Sequence, residues 1–177
     1  LIRIKKLIIP ALFGVSVSQI NLLFDTLIAS FLVSGSVSWL YFSDRLMELP
    51  LGIFGVALGI AVLPSLSRRH AENSVVEFAK TLDWALRLVL LVAIPAALAL
   101  YLISEPLLVT LFENGRFSQS DVENSASSLR AYAIGLVAFM SIKVLAPGYY
   151  ARQDTVTPVQ IGVAAMVLNM ILNGAFF

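Results

Sequence analysis

Five apolar runs constrain this chain more than any other feature. They lie at about 7–33, 39–64, 82–103, 122–146 and 158–177. Each is close to or beyond the ~20 predominantly apolar residues that cross a bilayer as helix. The fold class that follows is all-α, a polytopic transmembrane helix bundle. Composition agrees, because 59% of the residues are hydrophobic and 13% are charged, with a mean hydropathy of +0.89. Ordinary soluble domains carry nearly twice that share of charge. A net charge of +1 gives no argument for nucleic acid as a partner. The absence of cysteine excludes a disulfide framework and thiolate metal sites.

Against that apolar background the stretch from Trp39 to Pro50, WLYFSDRLMELP, stands out. It sets Asp44, Arg45 and Glu48 inside a spanning run. On a helix Tyr41, Arg45 and Glu48 share a face, while Asp44 lies roughly 100° round from Arg45. An Arg at the centre of a bilayer costs at least about 2.5 kcal/mol. These groups must therefore face a helix bundle or a water-filled cavity. Arg suits phosphate or pyrophosphate because its planar fork can donate two parallel bonds. A structural ion pair with the neighbouring acids is the competing reading. For Glu48 the expected service is to hold Arg45 in position; Asp44 can face either way.

The other spans carry their own polar marks. In the first, Ser18, Asn21 and Asp25 fall on one face, which is expected to look inward. In the second, Gly55 and Gly59 form a small-xxx-small pair permitting close helix approach. The polar stretch SLSRRHAENSVVEFAK follows, with the single histidine, His70, read as a solvated loop residue. Arg87 can snorkel to the basic interface. ENGRF reads as a turn at Asn114-Gly115, with Ser118 or Ser120 capping the next helix. Pro147-Gly148 is expected to end the fourth span, and Pro158 suits the first turn of the fifth. Asn169 and Asn173 share a face of that last span.

Topology follows from the basic residues. RIKK, the segment from Arg68 to Lys80, and Lys143 to Arg152 all fall on one side of five alternating spans. The positive-inside rule makes that side cytoplasmic. Arg45 then sits in the outer part of its helix, about 9 Å along from Trp39 by helical rise. The opening LIRIKKLIIP has no initiator Met and leads into a span without a small-residue cleavage pattern. The end, NMILNGAFF, stops inside an apolar run. Both ends lead to the expectation of a piece of a longer polypeptide.

No nucleophile elbow, phosphate-cradling glycine loop or His–carboxylate face points to covalent catalysis. Transport and structural packing are the readings that remain. The segments GVSVSQINLLFDTLIASFLVSGSVSWLYFSDRLMELPLGIFGVALGIAVLPSLSR and LAPGYYARQDTVTPV resemble the MurJ (MviN) family of lipid II flippases. That family belongs to the multidrug/oligosaccharidyl-lipid/polysaccharide exporter superfamily, with about fourteen helices in two lobes around a cationic cavity. The resemblance places this chain at the start of the second lobe, so its partners include the remainder of the same polypeptide and the membrane lipids. It implies movement of lipid II, an undecaprenyl-pyrophosphate-linked precursor, across the bacterial plasma membrane by alternating access. It also implies substrate contact by Arg45 and Glu48, with Asp44 as a further candidate. No cofactor is expected. Coupling to Na⁺ or to the membrane potential is proposed for the family, and Asp25, Asn169 and Asn173 supply hard oxygen ligands for a candidate cation site. Two alternatives stay open: an exporter of another polyprenyl-linked glycan or amphipathic drug, and a non-transporting membrane scaffold.

Overall fold

A computed structural model describes residues 2–112 and 117–176 of the chain. For residues 2–7, 11, 18 and 176 it describes the backbone alone. The element order is α1 (Ile2–Phe31), α2 (Ser36–Pro50), a π-helical segment (Leu51–Val56), α3 (Ala57–Ala71), α4 (Val75–Leu102), α5 (Ser104–Phe112), α6 (Gln119–Ala151) and α7 (Val156–Phe176). There is no strand among the described residues. Five helices are long and apolar enough to cross a membrane, with α2, the π segment and α3 counting as one. The turn expected at Asn114-Gly115 and the side chains of Ser18 and Arg116 lie outside the described residues.

α6 is the central element, with α4 antiparallel to it and the α2–π–α3 helix running parallel alongside. The α4–α6 seam alternates small side chains with larger aliphatic ones. Ala85, Ala93, Val89, Leu136, Met140 and Val144 are all fully buried there. In lipid, helices gain little from burying apolar area, so close van der Waals packing of small residues is what joins them. The opposite faces carry Leu91, Ile94 and Ile134 outward. Such exposure is a liability in water and the natural surface in hydrocarbon. A second cluster lies toward the other end, where Leu46 of α2 meets Leu108 of α5 and Val122, Ala126 and Leu129 of α6. α5, too short to span, closes this end.

Local chemistry sets the helix ends. Gly35 precedes α2 at φ 109, and a Cβ there would stand 2.9 Å from the Trp39 ring. Only glycine meets both demands. Ser118 caps α6 in a reciprocal box: its hydroxyl accepts from the Asp121 N–H, while Asp121 Oδ2 accepts from the Ser118 N–H at 2.9 Å. Of the two serines considered as cap, it is therefore Ser118. Asp154 caps α7 by accepting from the N–H groups of Val156 and Thr157. These bonds, led by that from the Thr157 hydroxyl, hold its carboxyl below the ordinary aspartate range.

Two boundaries differ from the sequence expectation. Pro147 and Gly148 do not end the fourth span; α6 continues to Ala151 with both residues buried. Leu82 of α4 packs beside Gly148, and α3 packs against the turn at Pro147. Neighbouring helices thus hold the backbone helical where local preference alone would release it. Similarly the second span runs through Pro64 to Ala71. The Val75–Phe78 segment is the first turn of α4.

The π segment begins immediately after Pro50, whose ring removes one ladder bond. It contains Gly52 and Gly55, and such wide turns mark places where an α-helix has taken in an extra residue.

α1 and α7 form a parallel pair set to one side. Their contact is close at Gly14, where a Cβ would meet Val159 at 2.7 Å. Between this pair and α3 and α6 lies a cavity of about 680 Å³, lined by Gly59, Ile60, Lys143, Tyr150 and Val159 among others.

Candidate functional site

Arg45 projects from the second half of α2. Its Nη1 lies 2.9 Å from Glu48 Oε2, and its guanidinium sits 5.0 Å over the Tyr41 ring. The face expected from the i, i+4, i+7 spacing is thus realised as one stack of ring, cation and carboxylate. Both charged side chains stay open, Arg45 at 56% and Glu48 at 51% exposure. An Arg held over an aromatic ring and tethered at one nitrogen has further N–H groups to offer an acceptor. Asp44, half-buried, lies within electrostatic reach of Glu48 and Arg45.

Tyr132 on α6 was not singled out by spacing or motif, since it sits alone in an apolar run. It is half-buried and packs against the α4–α6 seam. No signal in the sequence marks it, because the contact is made across helices.

The second polar group is at the α1–α7 contact. Asp25 Oδ2 accepts from Asn21 Nδ2 at 3.0 Å, and Oδ1 accepts from Asn169 Nδ2 at 3.3 Å and Asn173 Nδ2 at 3.2 Å. Asn173 also donates to Asn169 Oδ1 at 2.7 Å, and Asn169 to Asn21 Oδ1 at 3.4 Å. One carboxylate and three amides are drawn together from helices 144 and more residues apart. The three expected residues converge; Asn21 joins them, as its place on the Asp25 face of the helix already suggested. Amide orientation follows the bonding available. With the amides turned about, the same positions present oxygens, a hard donor set suited to Na⁺ or another alkali cation. No group of three or more His, Cys, Asp and Glu side chains stands together among the described residues.

The outer end of the site is braced. The Trp39 indole N–H donates to Asp121 Oδ1 at 2.7 Å. The Ser43 hydroxyl, fully buried, lies 2.7 Å from the Ser125 carbonyl. Phe42 packs against Phe112 and Phe117, with centroids 4.7 and 5.1 Å away. Trp39 thus ties α2 to the start of α6. On the opposite face of the bundle Arg87 pairs with Asp83 at 2.9 Å, both well exposed.

Comparison with known proteins adds an independent line. The family model described as "Lipid II flippase MurJ" matches residues 1–177. A probable lipid II flippase MurJ of Vibrio cholerae serotype O1 is 57% identical over 175 residues, covering 99% of this chain and 33% of the relative. Its counterpart in Haemophilus influenzae is 55% identical over 177 residues, covering 97% and 35%. The lipid II flippase MurJ of Burkholderia cenocepacia is 45% identical, covering 98% and 34%. The chain spans about a third of the length of these curated relatives.

Proposed function

The chain belongs to the lipid II flippase MurJ family, and on that footing we propose that it forms part of the wall of a cavity carrying lipid II from the inner to the outer leaflet. Its five apolar helices belong to a multi-pass protein of the bacterial inner membrane. The observation that carries the proposal is Arg45: a guanidinium on a spanning helix, stacked on Tyr41, tethered by Glu48 and still more than half exposed. A charge so placed in a membrane helix needs water or an anionic ligand beside it. The pyrophosphate of a lipid-linked precursor of peptidoglycan supplies one.

In this reading Glu48 and Tyr41 limit the rotamers of Arg45, so less freedom is lost when phosphate oxygens arrive. Asp44, close by, keeps the local charge from holding the anion too tightly, which release on the far side requires. Alternating access moves the walls around the anion; no bond in the substrate is made or broken. The rest of the cavity belongs to parts of the polypeptide beyond these helices. The test is lipid II translocation by the complete protein in vesicles. Translocation by an Arg45→Ala variant at the wild-type rate would remove the role proposed for this residue.

Asp25, Asn169 and Asn173, joined by Asn21, are proposed to hold Na⁺. The convergence of hard oxygen donors between α1 and α7 supports that role. A bound cation would supply positive charge that draws the two helices together. Unchanged Na⁺ dependence of transport after Asp25→Ala would rule against it and leave coupling to the membrane potential.

A further inference from the structure

The cytoplasmic end of the bundle holds a cavity of about 270 Å³ where α3 ends, α4 begins and α6 ends. At about 30 Å³ per water, that is room for a phosphoryl headgroup. Arg69, His70 and Arg152 line it, together with Asn73, Ser74 and Phe78. We infer that this pocket binds the phosphate of an anionic phospholipid at the inner membrane surface.

Four observations lead there. First, Arg69 Nε is shielded from solvent and has no hydrogen-bond partner, although its Nη1 reaches Glu72 at 3.4 Å. A buried, unpaired guanidinium N–H is costly unless an acceptor comes to it. Second, the Arg152 guanidinium carbon stands 4.4 Å from the centroid of the Phe78 ring, so a cation–π contact holds the charge at the pocket wall. Third, the pocket lining contains no acid. Glu72 is shared between Arg68 and Arg69, and Asp154 is committed to the first turn of α7. The pocket therefore keeps a net positive charge. Fourth, Ser74 makes no side-chain capping bond, so the first N–H groups of α4 add to the same field.

The source of the phosphate follows from the neighbouring surface. Val75 and Val76 are 75% and 65% exposed at the start of a spanning helix. An apolar pair next to a basic pocket, at the end carrying the basic loops, fits acyl chains beneath a headgroup better than a free ion. The inference is independent of the transported substrate, since the pocket uses none of the residues assigned to it.

Binding is read as thermal stabilisation of the complete purified protein in zwitterionic micelles titrated with phosphatidylglycerol. Phosphatidylcholine and inorganic phosphate serve as separate arms. Phosphatidylglycerol is expected to raise Tm, with the half-maximal concentration moved up about fivefold in Arg69→Gln and in Arg152→Gln, the effect of one basic group near an anionic surface. Arg68→Gln, which removes the same charge one residue away and outside the pocket, is expected to behave as wild type. Circular dichroism checks folding; if Arg152→Gln does not fold, Arg69→Gln decides alone. An equal shift in Arg68→Gln overturns the inference in favour of diffuse surface charge. Equal stabilisation by inorganic phosphate overturns the lipid source, and unshifted curves in both pocket variants overturn the site.

Discussion

Arg45→Ala is expected to lower lipid II translocation by about tenfold or more, the worth of one lost charge-assisted phosphate contact. Folding should barely register the change, because a pair as open as Arg45–Glu48 is screened by solvent and adds little to stability. Arg45→Lys keeps the charge but loses the fork and the flat stack on Tyr41. Its rate is expected between the two, measured with the same vesicles. At the α1–α7 contact, Asn173→Asp adds a second carboxylate beside Asp25. The expected result is stronger stabilisation by Na⁺, seen as a larger Tm rise between Na⁺-free and Na⁺-containing buffer, and a lower Tm without the cation from like-charge repulsion. Much of this scale was legible from spacing along single helices. Tyr41, Arg45 and Glu48, and Asn169 with Asn173, lie together because helical periodicity puts them there. Tyr132 was not legible, since a tyrosine in an apolar run carries no mark of what it packs against.

Single elements meet one another through backbone as well as side chain. At Gly59 a Cβ would stand 2.5 Å from the Lys143 carbonyl oxygen, whereas at Gly52 it would meet nothing within 4 Å. Gly59→Ala must push α3 from α6 and is expected to cost about 1–3 kcal/mol. Gly52→Ala is expected to be neutral or stabilising by up to about 1 kcal/mol. Thermal unfolding of the two variants side by side checks the contrast. The Gly55/Gly59 pair was readable as a packing face; which helix it meets was not, because small-residue spacing names no partner. The ends of α6 divide the same way. Its start was visible in the SQSD segment, since capping is local. Its continuation through Pro147-Gly148 was hidden, since contacts from α3 and α4 sustain it. Asp154 at the start of α7 makes a pH prediction. Its carboxyl is held below the usual aspartate value, so the stabilisation it gives is complete above that value and is lost as pH falls through the lowered one. The Tm difference between wild type and Asp154→Asn is expected to shrink below pH 4, roughly the unperturbed aspartate value.

As a whole molecule the chain divides into a packed group, α2 to α6, and the α1–α7 pair, with the 680 Å³ cavity between them. The pair holds itself together by amides and one carboxylate, and it touches the rest less extensively. That is the arrangement expected where one wall must move relative to another. These helices contain no cysteine, so within them two introduced thiols have no native thiol to compete with. Cysteines at Ile60 and Val159 face the same cavity from α3 and α7. Bridging them with a cleavable bifunctional reagent is expected to stop translocation, and cleavage to restore it; transport unaffected by the bridge would mean that this cavity stays fixed. The class of the fold was plain from five apolar runs. The division into two bodies was not, because it depends on which apolar faces find each other.

The wide turn after Pro50 has a consequence for how this helix tolerates change in length. It holds one residue more than the regular spiral would use, so everything outward of Leu51 is phased against everything inward by roughly 100°. Deleting one residue of 51–56 would return the spiral to even pitch and leave Arg45 and its companions on their present bearing, whereas closing the wide turn with all its residues kept would swing them by roughly 100°. For this helix, tolerance of a one-residue deletion is concentrated in the wide turn, and the same deletion elsewhere would re-aim the outer charges.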